Sequence, residues 1–323
     1  MTFARIAGTG SYLPDNIVTN RDLEQKVETS DQWIRERTGI EQRHIALPGQ
    51  STVDLAEQAA LNAIEAAGIE ATDIDLIVFA TTTPDKVFPI CACILQARLG
   101  IQGCPAFDSQ AVCSGFVYAL ANANALIVSG QAKRVLVIGA ETFSRIMDWT
   151  DRSTCVLFGD GAGALLLEAQ DGTGAPADRG ILATDLNSDG RYRDMLYVDG
   201  GVSTTGTSGK LRMQGNPLFR QAVEKLTSTA ETALASAGLG HDDIYWIVPH
   251  QANIRIIQGT AKKLNLPMDR VVVTVQDHGN TSAASIPLAL SVGRERGQIK
   301  QGDLIVTEAI GGGLAWGSVV LRW

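Results

Sequence analysis

Long apolar runs are missing from this 323-residue chain. No stretch of about 20 apolar residues occurs, so no helix is expected to span a bilayer. The first residues, Met-Thr-Phe-Ala-Arg-Ile-Ala-Gly-Thr-Gly, hold no extended apolar core of the kind a secretory signal needs. Basic charge is scarce: a net charge of −8 argues against a broad surface for nucleic acid. Histidine is rarer still, with four in all, and no His or Cys spacing matches a metal site, so no metal is expected. The cysteines (91, 93, 104, 113 and 155) are odd in number and follow no disulfide framework. Cys91 and Cys93 are one residue too close for a zinc or thioredoxin motif. Free thiols and a cytoplasmic location are the expectation.

What is present is an ordinary globular composition, 45% hydrophobic and 19% charged, with 33 glycines. Short apolar runs at 75–80, 135–139, 244–248 and 304–307 have the character of buried strands. Helical patterns at 52–68, 91–99 and 217–237 lie between them, which predicts α/β layers. The runs also repeat. Residues 73–78 match 243–248 at an offset of 170, and 135–141 match 304–310 at an offset of 169. The turn around Cys113 then pairs with the turn around Asn280 at an offset of 167. A duplicated α/β unit is predicted, with halves 1–171 and 172–323 joined through the turn-rich segment 171–180. Residues 186–216 read as long loops.

Cys113 follows a strand-like run and opens the apolar helix 115–128. A helix N-terminus lowers a thiol's pKa, although most cysteines are simply small buried hydrophobes. His250 ends the strand-like run 244–248, where α/β folds place ligands. Asn280 is either a helix cap or, through the repeat, a partner that meets Cys113 at a pseudo-twofold axis. A Cys–His–Asn constellation can converge in this way without being adjacent in sequence. Gly311-Gly-Gly313 lets backbone approach closely and can line an oxyanion hole, though a tight turn is the plainer reading. Phe158-Gly-Asp-Gly-Ala-Gly163 lacks the dinucleotide spacing and reads as a turn before a strand. Trp33 and Arg37 share one face of a capped helix near 29–40. His44, His241 and His278 read as surface or turn residues.

Taken together these motifs resemble β-ketoacyl-acyl carrier protein synthase III, the initiating condensing enzyme of fatty-acid synthesis in the thiolase superfamily. Ala111-Val-Cys-Ser-Gly-Phe116, His250-Gln-Ala-Asn253, His278-Gly-Asn-Thr-Ser-Ala-Ala-Ser285 and Phe158-Gly-Asp-Gly-Ala-Gly-Ala164 carry the likeness, which runs from Gly8 to Ser318. The elongating synthases use two histidines with the cysteine; Asn280 argues for the initiating type. The resemblance implies a thiolase fold, duplicated α/β halves in an αβαβα stack. It implies Cys113 as the nucleophile that takes acyl from acyl-CoA, with acetyl-CoA the expected donor. His250 and Asn280 would be donors to the malonyl thioester oxygen, and the Cys113 and Gly312 N–H groups the oxyanion hole. It implies that Trp33 and Arg152 sandwich the adenine of coenzyme A, that Arg37 meets its phosphates, and that Thr29 lines the same region. Asn216, Phe219, Ala252 and Asn253 would line the pantetheine tunnel. Coenzyme A enters as a thioester substrate, and no cofactor is expected.

The resemblance further implies a homodimer in which Phe88 shapes an acyl pocket. An acidic acyl carrier protein would dock on Arg220, Arg255, Lys262 and Lys263. The chain departs from the family pattern at Ile310, where Phe is common before the glycines, and at Cys91 and Ser109. Two other readings stand beside the first: a sibling condensing enzyme of secondary metabolism with another acyl donor, and a non-catalytic partner subunit of thiolase fold. Intact Cys113, His250 and Asn280 argue against the second.

Overall fold

A computed structural model describes residues 1–175 and 177–323. Pro176, inside the expected join, lies outside the described residues. The strands, in chain order, are β1 (Thr2–Tyr12), β2 (Ile17–Thr19), β3 (Gln42–His44), β4 (Leu76–Ala80), β5 (Ala106–Ser109), β6 (Arg134–Glu141), β7 (Gly161–Asp171), β8 (Gly180–Ser188), β9 (Leu196–Val198), β10 (Leu211–Met213), β11 (Trp246–Pro249), β12 (Leu304–Gly311) and β13 (Ala315–Arg322). The helices are α1 (Asn20–Glu24), α2 (Asp31–Thr38), α3 (Thr52–Ala67), α4 (Cys91–Arg98), α5 (Gly115–Val128), α6 (Arg152–Cys155), α7 (Gly215–Ser236), α8 (Ile254–Lys263), α9 (Val275–His278) and α10 (Ser285–Glu295). The segment 186–216, expected as loop, also contains β9, β10 and a 3-10 stretch at Gly190–Met195.

One sheet has the order β1-β7-β6-β4-β5 and the other β8-β13-β12-β11. In both, one corresponding pair is parallel (β4 with β6, β11 with β12) and the next two pairings are antiparallel. A single parallel bridge from Ile247 to Val271 stands where β5 stands in the first sheet. The repeat is therefore real at the level of pairing. Leu76 pairs with Val135 and Trp246 with Ile305, so both strands recur at an offset of 170. The same offset relates the 3-10 turns Val112–Ser114 and Ser282–Ala284, whose first residues share φ values of 49° and 50°. This corrects the expected equivalence of Cys113 with Asn280. The structural twin of Cys113 is Ala283. The 167 offset aligned two polar turn signatures rather than two backbone positions.

Helix hydropathy decides the layering. Helix α5 is apolar nearly all round, and α10 is buried along most of its length, so both lie between the sheets. Helices α3 and α4 cover the outer face of the first sheet, while α7 and α8 cover that of the second. The result is five layers, α–β–α–β–α. Helix α3 starts at a Ser51–Asp54 capping box and stops at Gly68 with φ 68°. The Phe158–Gly163 turn is structural, as expected. Asp160 there accepts from the Ala46 and Ser144 N–H groups, both at 2.8 Å, and from Ser144 Oγ at 2.6 Å.

The inner layer is closed by small residues. A methyl group on Gly139 of β6 would land on the Ala283 carbonyl oxygen and lie 3.1 Å from the Phe116 ring. One on Gly311 would lie 2.6 Å from Ala111 O and 2.7 Å from Cys113 N. Backbone atoms cannot yield to such a group as a flexible side chain can. Gly139→Ala is expected to lose about 1–3 kcal/mol in urea unfolding. Gly190→Ala, with nothing within 4 Å of the added carbon, serves as the neutral control.

Candidate active site

The turn carrying Cys113 bridges β5 and α5. It is held in an unusual conformation, with the β-branched Val112 at φ 49°, in the left-handed region. Ser114 Oγ clamps it by donating to Ala111 O at 2.7 Å and to Ala315 O at 3.0 Å, the latter on β13 of the other sheet. Burial pushes the Cys113 thiol up to about 12, with Ser282 acting to lower it and Glu141 to raise it. The thiol lowering expected from the helix start is outweighed: desolvation of the thiolate dominates.

His250 directly follows β11, its N–H donating to Glu308 O at 2.8 Å. Gln251 pins this corner. Its Nε2 donates to Pro249 O at 2.8 Å and Val272 O at 3.1 Å, and its Oε1 accepts from Thr274 and Val275 N–H at 2.8 and 3.1 Å. Burial holds the imidazole neutral by lowering its pKa to about 3. Its Nδ1 lies 2.6 Å from Ser285 Oγ. Ser285 Oγ already accepts from Gln251 N–H at 3.3 Å, which favours the hydroxyl proton pointing to Nδ1 and the single ring proton on Nε2. Asn280 is oriented in a parallel way: its Oδ1 accepts from Ser282 N–H at 2.9 Å, leaving the amide Nδ2 as donor. Two neutral N–H donors are thereby fixed in direction. The expectations about sequence motif did not single out Ser285, Ser282 or Gln251.

Cys113, His250 and Asn280 line one cavity of about 340 Å³, together with Ile310. Asn216, Phe219, Ala252, Asn253, Trp33, Arg37 and Arg255 line it too. Asn253 also caps α8, accepting from Arg255 N–H at 2.8 Å while its Nδ2 donates to Arg37 O at 3.0 Å. The Arg37 and Arg152 guanidiniums lie 4.6 and 5.0 Å from the Trp33 ring centre. Arg152 is tethered to Glu28 O at 2.7 Å. A ring sandwiched between Trp33 and Arg152 needs about 7 Å, twice an ordinary carbon contact, so in this structure that slot is shut.

Other expected residues fall outside the cavity lining. The Thr29 hydroxyl is buried with no partner among the described residues. A Cβ added at Gly312 would meet Leu196 O at 2.6 Å. Phe88 is 81% exposed and does not line this chain's pocket. Arg255 opens α8 at the cavity mouth, its guanidinium 5.8 Å from the Phe219 ring. Lys262 and Lys263 occupy the last turn of α8, about 10 Å further along at 1.5 Å per residue. All three are exposed, as is Arg220 on the adjoining α7.

The model of 3-oxoacyl-[acyl-carrier-protein (ACP)] synthase III matches residues 107–190, and that of the C-terminal part of the same synthase matches 234–323. A β-ketoacyl-[acyl-carrier-protein] synthase III of Ruegeria pomeroyi is 72% identical over 320 residues, 99% of each chain. The chain belongs to this synthase III family. It is an acyltransferase-type condensing enzyme with the thiolase fold. The crystal structure of 3-oxoacyl-[acyl-carrier-protein] synthase III from Aquifex aeolicus is 47% identical and superposes with a TM-score of 0.94 over 99% of this chain and 100% of that one. The priming β-ketosynthase of the R1128 polyketide pathway is 34% identical, with a TM-score of 0.92 over 99% and 96%. No helix among the described residues is long and apolar enough to cross a membrane.

Because its folded pKa is lowered, His250 keeps its neutral form at every pH above about 3 and loses it only as pH falls through that value. An NMR titration of ring-labelled protein from pH 8 to pH 5 is expected to show no protonation of this ring.

Proposed function

We propose that the chain catalyses the decarboxylative Claisen condensation of an acyl-CoA, with acetyl-CoA the first donor, and malonyl-acyl carrier protein. The product is 3-ketoacyl-acyl carrier protein, and the step initiates fatty-acid synthesis. The observation that carries this reading is the convergence of a buried thiol and two oriented neutral N–H donors on one cavity in a chain of this family. Cys113 attacks the thioester and keeps the acyl group while coenzyme A leaves. Malonyl-acyl carrier protein then enters, and loss of CO2 places negative charge on its thioester oxygen. His250 Nε2–H and Asn280 Nδ2–H meet that oxygen as the charge develops, where preorganised donors act most strongly. The enolate carbon attacks the acyl carbonyl, whose oxygen is received by the N–H groups of Cys113 and Gly312. A neutral imidazole suits this role, since a donor that keeps its proton cannot quench the enolate.

In the same reading Trp33 and Arg152 open to admit the adenine, Arg37 meets the phosphates beside Thr29, and Asn216, Phe219, Ala252 and Asn253 line the pantetheine path. Coenzyme A is a substrate here, and the reaction needs no further cofactor or metal. Phe88 shapes the acyl pocket across the twofold of a homodimer, which its exposure in the single chain supports. The enzyme acts in the cytoplasm, without nucleic acid or membrane, and residues 1–171 and 172–323 are its two halves. The first half supplies the thiol and the second the donors.

Intact-mass measurement with a panel of acyl-CoA donors is expected to find an acyl adduct on the wild-type chain and none on Cys113→Ser. His250→Ala and Asn280→Ala are expected to keep acylation while losing about 10²–10³ in malonyl decarboxylation, the usual cost of one such donor. Equal loss in both half-reactions would contradict the division of labour.

The acidic carrier protein docks on the α8 face, with Arg255 and Arg220 at the cavity mouth and Lys262 and Lys263 beyond. Charge reversal at Arg255 and Lys262 to Glu is expected to raise the apparent KM for malonyl-acyl carrier protein and to flatten its salt dependence, since such charges act on encounter. Acylation by acyl-CoA serves as the internal control. An unchanged salt dependence places the partner elsewhere.

A further inference from the structure

The turn that follows β12 carries Gly312, whose N–H the condensation reading assigns to the acyl oxygen, so that reading needs the turn held still. Residues 189–196 run beside it and bracket it. At one end Asp189 and Leu314 exchange backbone hydrogen bonds, Asp189 N–H to Leu314 O at 2.8 Å and Leu314 N–H to Asp189 O at 3.1 Å. These extend the β8–β13 ladder one step beyond the Ser188–Ala315 pair. At the other end Leu196 O leaves no room for a side chain at Gly312. Gln214 anchors that end, its N–H donating to Met195 O at 2.8 Å and its Nε2 to Asp194 O at 3.0 Å. Leu196 also lines the cavity with Ile310, so the segment both braces the turn and forms part of the wall.

The middle of the segment is held differently. Among the described residues, the hydrogen bonds and ion pairs of residues 190–193 stay within 189–194, and the Arg191 guanidinium is taken up by Asp189 at 2.6–3.1 Å. What holds them from outside is apolar packing and one cation. The Lys225 ammonium, on α7, lies 3.9 Å from the Trp316 ring centre and 5.1 Å from that of Tyr192. Tyr192 belongs to the segment and Trp316 to β13. Both rings, with Met195, pack on the small buried cluster of Ala222, Leu226, Ile310 and Leu314. One ammonium thus ties α7, the segment and β13 together behind the cavity wall. Lys225 and both rings are half-buried, where a cation over an aromatic face is worth more than on open surface.

Resting on the function proposed above, we propose that Lys225 is a positioning residue for the oxyanion hole: its ammonium latches residues 189–196 over the 311–314 turn and so holds the Gly312 N–H in place. Lys225 touches no substrate and takes no part in proton or acyl transfer. It acts through Tyr192 and Trp316. The charge, rather than the bulk, of the side chain does this. A methionine has the length to pack on the same rings, yet offers nothing to their negative faces. An arginine keeps the cation and stacks on aromatic faces.

Acylation and condensation both pass through a state in which the acyl oxygen carries negative charge, so a misplaced Gly312 N–H slows both. Alkylation of Cys113 by iodoacetamide makes no such demand. The sulfur bonds to a saturated carbon, iodide leaves with the carbon–iodine pair, and the thiol proton goes to solvent. The two reactions share the thiol and the cavity and differ in their need for the turn. Loosening the latch therefore separates them.

The test compares the wild-type full chain with Lys225→Met and Lys225→Arg by three measurements. Hydrogen exchange of peptides covering 189–196 and 312–316 reads the latch. Single-turnover acylation by saturating acetyl-CoA reads the turn, and iodoacetamide alkylation reads the thiol, both by mass at the peptide bearing Cys113. Lys225→Met is expected to raise the opening of both exchange peptides roughly 3- to 30-fold. Its acylation rate is expected to fall roughly 3-fold or more. The acetyl-CoA concentration for half-maximal rate should barely move, and alkylation should be no slower. Lys225→Arg is expected to restore both exchange and acylation. Wild-type exchange in Lys225→Met overturns the latch, and faster exchange with wild-type acylation overturns its link to the oxyanion hole. An equal loss in acylation and alkylation also overturns it, because that effect lies at the thiol. If Lys225→Met does not fold, Tyr192→Leu, which removes one ring from the same latch, is read against the same outcomes. Should acetyl-CoA fail on the wild-type chain while exchange depends on Lys225, the latch stands and the condensation reading falls.

Discussion

The structure turns on the contact between two helix-leading turns at its centre, residues 112–114 and 282–284. Each leads into a buried helix, each starts with a residue in the left-handed region, and each is the other's packing partner. Only small residues permit this closeness. The layers on either side are ordinary amphipathic helices on sheets, and their order follows from which helices are apolar all round. The central contact sets where the thiol stands relative to the donors, because Cys113 lies on one turn while Asn280 and Ser285 flank the other.

The strain at that contact has a physical role. A β-branched residue at φ 49° costs of order 1–3 kcal/mol, and it persists only where its surroundings over-determine it. Here the determinants are Ser114 bonded across to β13 and the Gly311 backbone against Cys113. Both come from the second sheet. The sharp turn exposes the sulfur to the cavity instead of folding it into the helix, as strand-to-helix elbows do for other nucleophiles.

Much of this was legible from residues alone. Strands β4, β6, β11 and β12 are near-continuous apolar runs because they are buried on both faces, and such runs are hard to mistake. Cys113 and His250 announced themselves by standing where apolar runs end, and Asn280 by a repeat that paired its turn with that of Cys113 and by the motif around it. What the sequence could not display was the set of groups that orient them. Ser285 is 35 residues from His250, and Glu141 is 141 residues from Ser282. A serine or a glutamate in a run gives no local sign that a distant element will bury it beside a catalytic group. The thiol's acidity was misjudged for a related reason: the helix start is local and visible, whereas the desolvation that outweighs it is collective. The repeat was found by pattern and corrected by geometry, since hydrogen-bond register, unlike residue likeness, cannot slip by three.

The twin turns also bear on how such a chain can diversify. The copy at 282–284 keeps the strained backbone but carries Ala283 where its sibling carries the nucleophile. It has become a wall, and a wall cannot be exchanged without regard to what leans on it. Gly139 and Gly311 each reach across to the opposite turn. A chimera that joins the first half of one relative to the second half of another therefore inherits mismatched surfaces at the centre, however well each half's own sheet is formed.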